Sequence, residues 1–372
     1  MGEQARQLVD DLLVQAGILI DGDQPWDIRV HDERLYDRVL AGGSVAVGES
    51  YMDGWWSAER LDQFFEKVFS AGLEYKIRRN GKLLMHVLKN NLINPQNRLR
   101  SYEVGERHYD LGNDLFKHML DSRLTYSCGY WKEAGSLDEA QEAKLDLICR
   151  KLGLQPGMRL LDIGCGWGSL VKYAAEHYDV EAVGITVSKE QVDYARQQCE
   201  GLPVRIEYGD YRELEESFDR IASVGMVEHV GRKNYAQFMQ VAHRCLNPGG
   251  LFLLHTIASN ISTFATDPWI EKYIFPNSML PSVNQLSRAA EYKFVMEDLH
   301  NFGPDYDKTL MAWDENFRQS WDKLNSGYDE RFYRMWRFYL MSSAASFRTR
   351  RIQLFQFLFG KSPRPPVISR VD

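Results

Sequence analysis

A glycine-rich turn in the middle of the chain has the composition of a ligand-binding loop. The turn G-C-G-W-G at 164–168 follows the short apolar stretch R-L-L-D-I at 159–163. Glycine allows the backbone to approach a ligand closely, and the N-terminus of the next helix offers N–H groups to a carboxylate or a phosphate. The spacing G-x-G-x-G differs from the G-x-G-x-x-G of dinucleotide-binding enzymes. The pattern predicts a ligand site of another class, and the alternative is a tight turn that binds nothing.

Together with the residues around it, this turn resembles the first motif of class I methyltransferases, which holds the methionine part of S-adenosylmethionine. The resemblance lies in L-D-I-G-C-G-W-G at 161–168, and E-Y-G-D-Y-R at 207–212 ends a strand where such enzymes hold adenine. Most of them end the second strand with an acidic residue for the ribose hydroxyls, whereas this chain has Thr186 and Gln191. Both side chains form hydrogen bonds with hydroxyl groups, and Glu190 is an acidic alternative.

Two further polar side chains stand at the ends of apolar strands. Glu228 lies in G-M-V-E-H-V-G at 225–231, and His255 lies in L-L-H-T-I at 253–257. The carboxyl ends of parallel strands form the edge of a sheet at which ligands bind. Spacing alone also permits a helix-capping role for Glu228 and a structural, buried role for His255. We expect the adjacent His229 to be structural.

A lone cysteine stands among aromatic residues in T-Y-S-C-G-Y-W at 125–131. No basic residue adjoins Cys128 and no helix N-terminus is evident, so nothing in the sequence lowers the pKa of its thiol. The five cysteines of the chain show no C-x-x-C spacing, and their odd number fits no closed set of disulfides. We therefore expect free thiols in a reducing compartment and no metal site.

Strands and helices are predicted to alternate from about residue 140 onwards, which is typical of a parallel sheet. Five short apolar segments have the length and the flanking turns of buried strands. They are 159–163, 180–186, 204–208, 218–224 and 250–257. The fold class is therefore predicted to be α/β, with a doubly wound, Rossmann-like sheet whose ligands bind beyond the carboxyl ends of the strands.

The N-terminal part of the chain differs in charge and in periodicity. Residues 1–75 carry fifteen acidic and six basic side chains, and apolar residues at helical spacing predict a small, mostly helical domain. Residues 76–100 carry seven basic and no acidic side chains. This segment suits an anionic membrane surface or a solvated linker helix equally well. It lacks the interleaved aromatic residues of a nucleic-acid site, so we expect no nucleic acid as a partner.

These differences predict three parts: a lipid-associated N-terminal domain at 1–75, a basic linker at 76–100 and a catalytic domain at 101–372. No run reaches the roughly eighteen apolar residues that a membrane span needs. The N-terminus also lacks the apolar core of a signal peptide. We therefore expect a cytoplasmic protein that meets the membrane only at its inner surface.

Several motifs together identify a family. The chain resembles the bacterial cyclopropane-fatty-acyl-phospholipid synthases, to which the mycolic acid cyclopropane synthases are related. The resemblance covers nearly the whole chain, including the N-terminal domain with G-E-S-Y-M-D-G-W-W at 48–56. The other motifs are H-Y-D-L-G-N-D-L-F (108–116), Y-S-C-G-Y-W (126–131), L-D-I-G-C-G-W-G (161–168), G-M-V-E-H-V-G (225–231), L-L-H-T-I (253–257) and Y-D-K-T-L-M-A-W (306–313).

The resemblance implies a reaction and the residues that serve it. A methylene group passes from S-adenosylmethionine to the cis double bond of an unsaturated acyl chain in a membrane phospholipid, through a carbocation that bound bicarbonate deprotonates. The residues implied for bicarbonate are Cys128, Glu228, His255, the backbone of Ile257, and Tyr306. The residues implied for S-adenosylmethionine are Tyr126, Ser127, Gly164, Cys165, Gly166, Trp167, Gly168, Thr186, Gln191, Asp210 and Tyr211.

Three other segments bear on this interpretation. Residues 258–290, rich in large apolar side chains, are interpreted as a cover that lines an acyl-chain pocket or as ordinary core. Residues 347–359 mix arginines with an apolar face, which suggests a lipid surface or the contact of a homodimer. Ser343 stands where many members of the family have a cysteine, so a mechanism with a cysteine nucleophile there cannot operate.

Two rival functions follow from the same residues. A small-molecule N-methyltransferase has a similar catalytic domain, but the N-terminal domain and the basic linker at 76–100 argue against it. A noncatalytic lipid-binding protein does not need an intact cofactor turn, and the turn at 164–168 is intact.

Overall fold

The computed structural model describes residues 2–73, 113–263, 265–363, 365–366 and 370–372. The predicted basic linker at 76–100 and most of the motif at 108–116 lie outside these residues. The chain divides into two compact units, each assembled from separate stretches of sequence. The first unit takes the described residues of 1–93, 264–276 and 310–352, and the second takes the others. The division into a lipid-associated domain, a basic linker and a catalytic domain stays a prediction.

The elements of the described residues are numbered in chain order. The strands are β1 (Ile28–Val30), β2 (Trp56–Ala58), β3 (Arg159–Ile163), β4 (Glu181–Thr186), β5 (Val204–Tyr208), β6 (Phe218–Val224), β7 (Leu246–Ser259), β8 (Val295–Asn301) and β9 (Ile352–Gly360). The helices are α1 (Gly2–Val14), α2 (Leu35–Met52), α3 (Leu61–Ser70), α4 (Asn113–Met119), α5 (Leu137–Leu152), α6 (Ser169–Tyr178), α7 (Lys189–Gln198), α8 (Tyr235–Cys245), α9 (Pro268–Tyr273), α10 (Val283–Ala290), α11 (Pro304–Gln319), α12 (Trp321–Leu324) and α13 (Glu330–Arg348). In this described part of the chain, no helix combines the length and the apolar content that crossing a bilayer requires.

Seven strands form the sheet of the second unit, in the order β5-β4-β3-β6-β7-β9-β8. The strands from β3 to β7 pair in parallel, and they are the five strands that the sequence predicts. β8 and β9 pair antiparallel and complete the sheet. Apolar side chains of the parallel strands enter two separate buried clusters with the surrounding helices. The predicted doubly wound α/β sheet is therefore confirmed.

The interpretation of 347–359 as a lipid surface or dimer contact is wrong for its apolar part. β9 lies inside the sheet, between β7 and β8, and its Leu354 and Phe357 are buried. Of the arginines before it, Arg348 forms an ion pair of 2.9 Å with Asp62 in the first unit. The apolar run is thus sheet core, and its side chains are not available to lipid.

Aromatic side chains form much of the core of the first unit, in which α13 packs against α2 and α3. The ring of Phe338 in α13 lies 4.9 Å from that of Phe65 and 4.4 Å from that of Trp269. Both Trp56 and Trp269 are buried. The part of the segment 258–290 that holds Trp269 is therefore ordinary core. A role of its other residues in an acyl-chain pocket stays a prediction.

Candidate active site

A cavity lies at the carboxyl ends of β3, β4, β5 and β6, where a doubly wound sheet binds its ligands. The loops after these strands supply most of its wall, and residues 124–127 and part of α5 complete it. Every cofactor residue implied by the resemblance, apart from Gly168, lines this cavity. These residues are Tyr126, Ser127, Gly164, Cys165, Gly166, Trp167, Thr186, Gln191, Asp210 and Tyr211.

The turn after β3 uses its glycines for two close approaches. Gly164 has a φ of 86°, and a Cβ there would lie 2.6 Å from the Met226 side chain. Gly168 has a φ of 85° at the start of α6, and a Cβ there would lie 3.0 Å from the Cβ of Ala195 in α7. Both conformations are ones that glycine adopts without strain. Gly168 thus allows α6 and α7 to pack closely, and it is not part of the cavity wall.

The polar side chains at the predicted ribose and adenine end bond to one another. Thr186 Oγ1 donates a hydrogen bond to Gln191 Oε1 at 2.8 Å. Asp210 forms an ion pair of 2.7 Å with Arg212 and also accepts from the backbone N–H of that residue. Glu190, the acidic alternative, is exposed and does not line the cavity. The hydroxyl, amide and carboxylate at this end are therefore held in place by their neighbours.

Two buried charged side chains near the glycine turn were not among the predicted site residues. Lys144 of α5 and Asp162 of β3 both line the cavity, and Lys144 Nζ donates to Ser127 Oγ at 2.8 Å. Burial lowers the pKa of Lys144 to about 8 and raises the pKa of Asp162 to about 7. The sequence held one signal for Lys144, which is its place on the buried face of α5, four residues after Ala140 and four before Ile148.

Glu228 lies in a 3₁₀ turn after β6 and is buried. Its Oε1 accepts a hydrogen bond from the Ile257 N–H at 2.8 Å, and its Oε2 has no partner among the described residues. Burial raises the pKa of the carboxyl to about 7, although the hydrogen bonds to it favour the ionised form. The nearby Met226 and His229 line the cavity, whereas Glu228 itself does not.

His255 lies on β7 two residues before Ile257, so the two side chains share one face of the strand. In the assigned orientation of Gln356, its amide donates to His255 Nδ1 at 3.2 Å, which leaves the ring proton on Nε2. Nε2 is buried without a partner among the described residues. Burial also lowers the pKa of His255 well below its usual value. The ring is therefore neutral, with one N–H free to donate.

Cys128 is fully buried, and its thiol donates to the carbonyl oxygen of Gly129 at 3.2 Å. Burial raises the pKa of the thiol well above its usual value, so it stays protonated in neutral solution. Thr309 Oγ1 accepts from the Gly129 N–H at 3.1 Å, which holds this segment against α11. The first turn of α11 carries Tyr306, which is also buried.

Among the residues of the predicted anion site, the structure shows a direct contact between Glu228 and Ile257. Cys128 lies on the segment bonded to the helix of Tyr306. The ring of Phe302 lies 5.7 Å from that of His255 and 5.3 Å from that of Tyr130, two residues after Cys128.

His229, which the sequence analysis leaves as structural, lines the cavity. Burial lowers the pKa of its ring to about 4, so the imidazole is neutral at physiological pH. The two buried atoms without partners described above are Oε2 of the adjacent Glu228 and Nε2 of His255 on β7. Glu228 Oε2 accepts a hydrogen bond when the carboxyl is ionised, and the His255 Nε2–H donates one. A ligand that reaches both atoms needs an acceptor for the His255 N–H and a donor for Glu228 Oε2.

A family model described as mycolic acid cyclopropane synthetase matches residues 96–357 of the chain. The cyclopropane-fatty-acyl-phospholipid synthase of Escherichia coli is 53% identical over 355 residues, which are 95% of this chain and 93% of that protein. The cyclopropane mycolic acid synthase MmaA2 of Mycobacterium tuberculosis is 34% identical over 279 residues, which are 70% of this chain and 97% of that protein.

Solved structures show the same fold in the part of the chain that they cover. The mycolic acid cyclopropane synthase CmaA1, complexed with SAH and CTAB, matches with a TM-score of 0.66 and 35% identity over 70% of this chain and 98% of its own. Coclaurine N-methyltransferase matches in fold with a TM-score of 0.70 and 22% identity, over 85% of this chain and 99% of its own. The predicted class I methyltransferase fold is therefore confirmed.

Proposed function

This chain belongs to the mycolic acid cyclopropane synthetase family and is an S-adenosylmethionine-dependent transferase, and we propose the following course for its reaction. A methylene group is transferred from S-adenosylmethionine to the cis double bond of an unsaturated acyl chain in a membrane phospholipid. The main support for a phospholipid acceptor is how much of the chain the similarity covers. Similarity to the Escherichia coli enzyme runs through nearly the whole chain, whereas the mycobacterial enzyme matches a smaller part.

The cavity suits S-adenosylmethionine at both of its ends. The glycine turn, Tyr126 and Ser127 lie where buried charges of both signs meet, which suits a methionine part with an ammonium and a carboxylate. Thr186, Gln191 and Asp210 with Tyr211 lie at the other end, where a sugar and a base need hydrogen-bond partners. When bound, the cofactor supplies the methyl group as a sulfonium. The surrounding residues orient it towards the alkene and exclude water.

The buried atoms of Glu228 and His255 that lack partners support bicarbonate as the base. The Nε2–H of His255 donates to a charged oxygen of such an ion, and ionised Glu228 accepts its hydroxyl proton through Oε2. The Ile257 N–H fixes the other oxygen of Glu228. When bound, bicarbonate supplies the base that deprotonates the carbocation left by methyl transfer. Without such a hydroxyl, an anion beside ionised Glu228 would be repelled.

Cys128 and Tyr306 complete the proposed site without covalent chemistry. The buried, protonated Cys128 forms an uncharged wall, because its thiol is too weak an acid to act as a nucleophile. The ring of Tyr306 is proposed to stabilise the cation through its π face. The methyl group leaves a sulfonium directly, so no adduct with the protein is needed.

The proposal includes the cellular setting of the enzyme. The domain at 1–75 and the basic linker at 76–100 contact the inner face of the membrane, and the enzyme is a cytoplasmic, peripheral homodimer. Exposed apolar side chains in the N-terminal unit, such as Leu8 and Leu19, support contact with lipid. The basic residues of the linker add attraction to anionic headgroups, at about 1 kcal/mol for each residue near the surface.

The experiment that tests the reaction uses purified full-length protein, S-adenosylmethionine and vesicles of cis-unsaturated phospholipid. We expect acyl chains that are heavier by one CH₂ and resist alkene cleavage, as measured by mass spectrometry before and after ozonolysis. Unchanged lipids would contradict the proposal. Methylation of an added amine would then support an N-methyltransferase, and lipid binding without cofactor binding would support a noncatalytic protein.

A second arm tests bicarbonate separately from the reaction itself. The same assay is run in degassed buffer under nitrogen, and bicarbonate is then added back. Restored turnover with unchanged binding of S-adenosylhomocysteine supports bicarbonate as the base. Full activity in the degassed buffer would reject bicarbonate and leave methylene transfer standing.

A further inference from the structure

Lys144 is a buried cation at the methionine end of the cofactor cavity. Its side chain is fully buried, on a helix face whose other members are mostly apolar. The Nζ donates to Ser127 Oγ at 2.8 Å, and no carboxylate of the described residues lies within ion-pair distance of it. Burying an ammonium without a counter-ion is costly, so its presence needs an explanation.

The hydrogen bonds of Lys144 are incomplete. An ammonium has three N–H donors, and Ser127 takes one of them. Arg212 is a second cation in the cavity wall, but it is paired with Asp210 at 2.7 Å. Lys144 is therefore the cation in this wall that has no carboxylate partner among the described residues, and two of its N–H donors remain for an incoming anion.

The charged groups around Lys144 favour a ligand that carries a positive and a negative group. Asp121 and Asp162 act on it electrostatically, whereas the nearby thiol of Cys128 is protonated and carries no charge. Asp121 already accepts from the backbone and hydroxyl of Thr125. The Oδ1 of Asp162 has no partner among the described residues. A zwitterion placed here meets a cation donor on one side and a carboxylate acceptor on the other.

We propose that Lys144 binds the α-carboxylate of the methionine part of S-adenosylmethionine and so sets the position of the cofactor in the cavity. This inference rests on the cofactor assigned under the proposed function. Ser127 holds one N–H of the ammonium, and the other two are available to the carboxylate of the ligand. The role is one of binding and positioning, because the proposal places Lys144 at the carboxylate of the cofactor and not at the reacting alkene. A charge-assisted hydrogen bond in a buried site gives strong discrimination against ligands that lack the anion.

The test compares two ligands in calorimetry. One is S-adenosylhomocysteine, and the other is its decarboxylated analogue, which keeps the amino group and the nucleoside. We expect Lys144→Met to weaken the first ligand by about 10- to 100-fold and to leave the second within about threefold. Methionine has a similar length and suits an apolar surrounding, so the variant is expected to fold.

Lys151→Met is the matched control. Lys151 lies on the same helix and is also buried, donates to His300 Nδ1 and lies 3.8 Å from Asp298, but it does not line the cavity. This control should bind both ligands as the wild type does. Equal weakening of both ligands by Lys144→Met, or no weakening of S-adenosylhomocysteine, would overturn the proposal. A wild-type protein that binds neither ligand would instead overturn the cofactor assignment itself.

A second measurement follows the ratio of the two affinities with pH, in the wild type and in Lys144→Met. The two ligands' own amino groups titrate in the same way with either protein, so the difference between the proteins reports the partner of the carboxylate. The pKa of Lys144 is lowered by burial to about 8, so the free protein loses this ammonium in more alkaline solution. We expect the preference for S-adenosylhomocysteine to fall between about pH 8 and pH 9.5, by up to tenfold per pH unit. A constant ratio across this range would overturn the proposal.

Discussion

Glu228 is fixed by one carboxylate oxygen, which accepts from Ile257, while the other lies buried without a partner among the described residues. Glu228→Gln keeps an oxygen for the Ile257 N–H but places a donor where Oε2 stood. We predict that turnover falls by about 100-fold or more. Affinity for S-adenosylhomocysteine should stay within about threefold, because the carboxyl acts after the cofactor binds. Steady-state kinetics and calorimetry measure the two quantities.

Glu181→Gln is the matched control for this prediction, because Glu181 is an exposed carboxylate at the start of β4. It should leave both turnover and affinity unchanged. Parallel losses of turnover and cofactor affinity in Glu228→Gln would show that the carboxylate supports the cavity wall and has no separate part in the reaction.

The buried position of Glu228 also predicts a pH dependence. Burial raises its pKa to about 7, so the carboxyl is neutral below that pH and ionised above it. The ionised form is the proposed acceptor, so kcat/KM should rise as pH increases towards 7 and level off above it. The measurement is made at constant bicarbonate concentration, and Glu228→Gln should lack this rise. An identical profile in the variant would assign the rise to another group.

At the scale of elements, α2 and α9 meet within the first unit through a glycine. A Cβ at Gly48 would lie 2.2 Å from Nε1 of the buried Trp269. Next to it, Glu49 accepts from Lys272 Nζ at 2.6 Å and from the Tyr273 hydroxyl at 2.8 Å. Burial acts against the ionised form of Glu49, but these hydrogen bonds lower its pKa to about 2. A close backbone approach and a group of polar contacts thus hold α9 in place.

Gly48→Ala is predicted to destabilise the first unit. The added methyl group forces the indole or the helix to move, and overpacking of this kind costs about 1–3 kcal/mol. We expect a melting temperature lower by roughly 3–8 °C, measured by circular dichroism. Gly327→Ala is the control in the same unit, because the nearest atom to its added Cβ is 3.8 Å away. An unchanged melting temperature would mean that α9 is free to shift away from α2.

The sequence predicts individual elements only where their burial leaves a local pattern. β3 to β7 are apolar runs between turns, and all five are predicted. β8 has mostly half-exposed side chains at the edge of the sheet, so V-M-E-D-L-H-N gives no strand signal. β9 is misinterpreted because its apolar run follows arginines. A local pattern does not distinguish a surface that meets lipid from one that meets neighbouring strands.

The same limit applies to the site. The glycine turn and the residues after β4 and β5 are predicted because each is a contiguous motif. Lys144 is missed because its importance comes from packing, which places a helix residue against the cavity. The contact of Glu228 with Ile257 joins residues 29 positions apart, so only the paired strands reveal it.

At the scale of the whole molecule, elements that are far apart in the sequence belong to the same compact unit. α13 lies near the C-terminus, yet α2 and α3, against which it packs in the first unit, lie within the first 73 residues. Arg334 Nη2 donates to the carbonyl oxygen of Trp56 at 2.7 Å, and Arg348 pairs with Asp62 at 2.9 Å. The ring of Phe338 packs edge-on against Phe65. The N-terminal helices therefore cover the apolar face of a helix from the opposite end of the sequence.

A fragment that begins at residue 101 should consequently fail to form the native protein. It keeps α13 but loses α2 and α3, so Phe338 and its buried neighbours are left facing water. Each large apolar side chain exposed in this way loses about 1.5–3 kcal/mol of burial free energy. We expect aggregation on size-exclusion chromatography and less helix per residue by circular dichroism than in the full chain. Coexpression with residues 1–100 should restore soluble protein, because the missing helices can pack against α13 in trans. A monodisperse fragment with full helix content would show that α13 is stable without these partners.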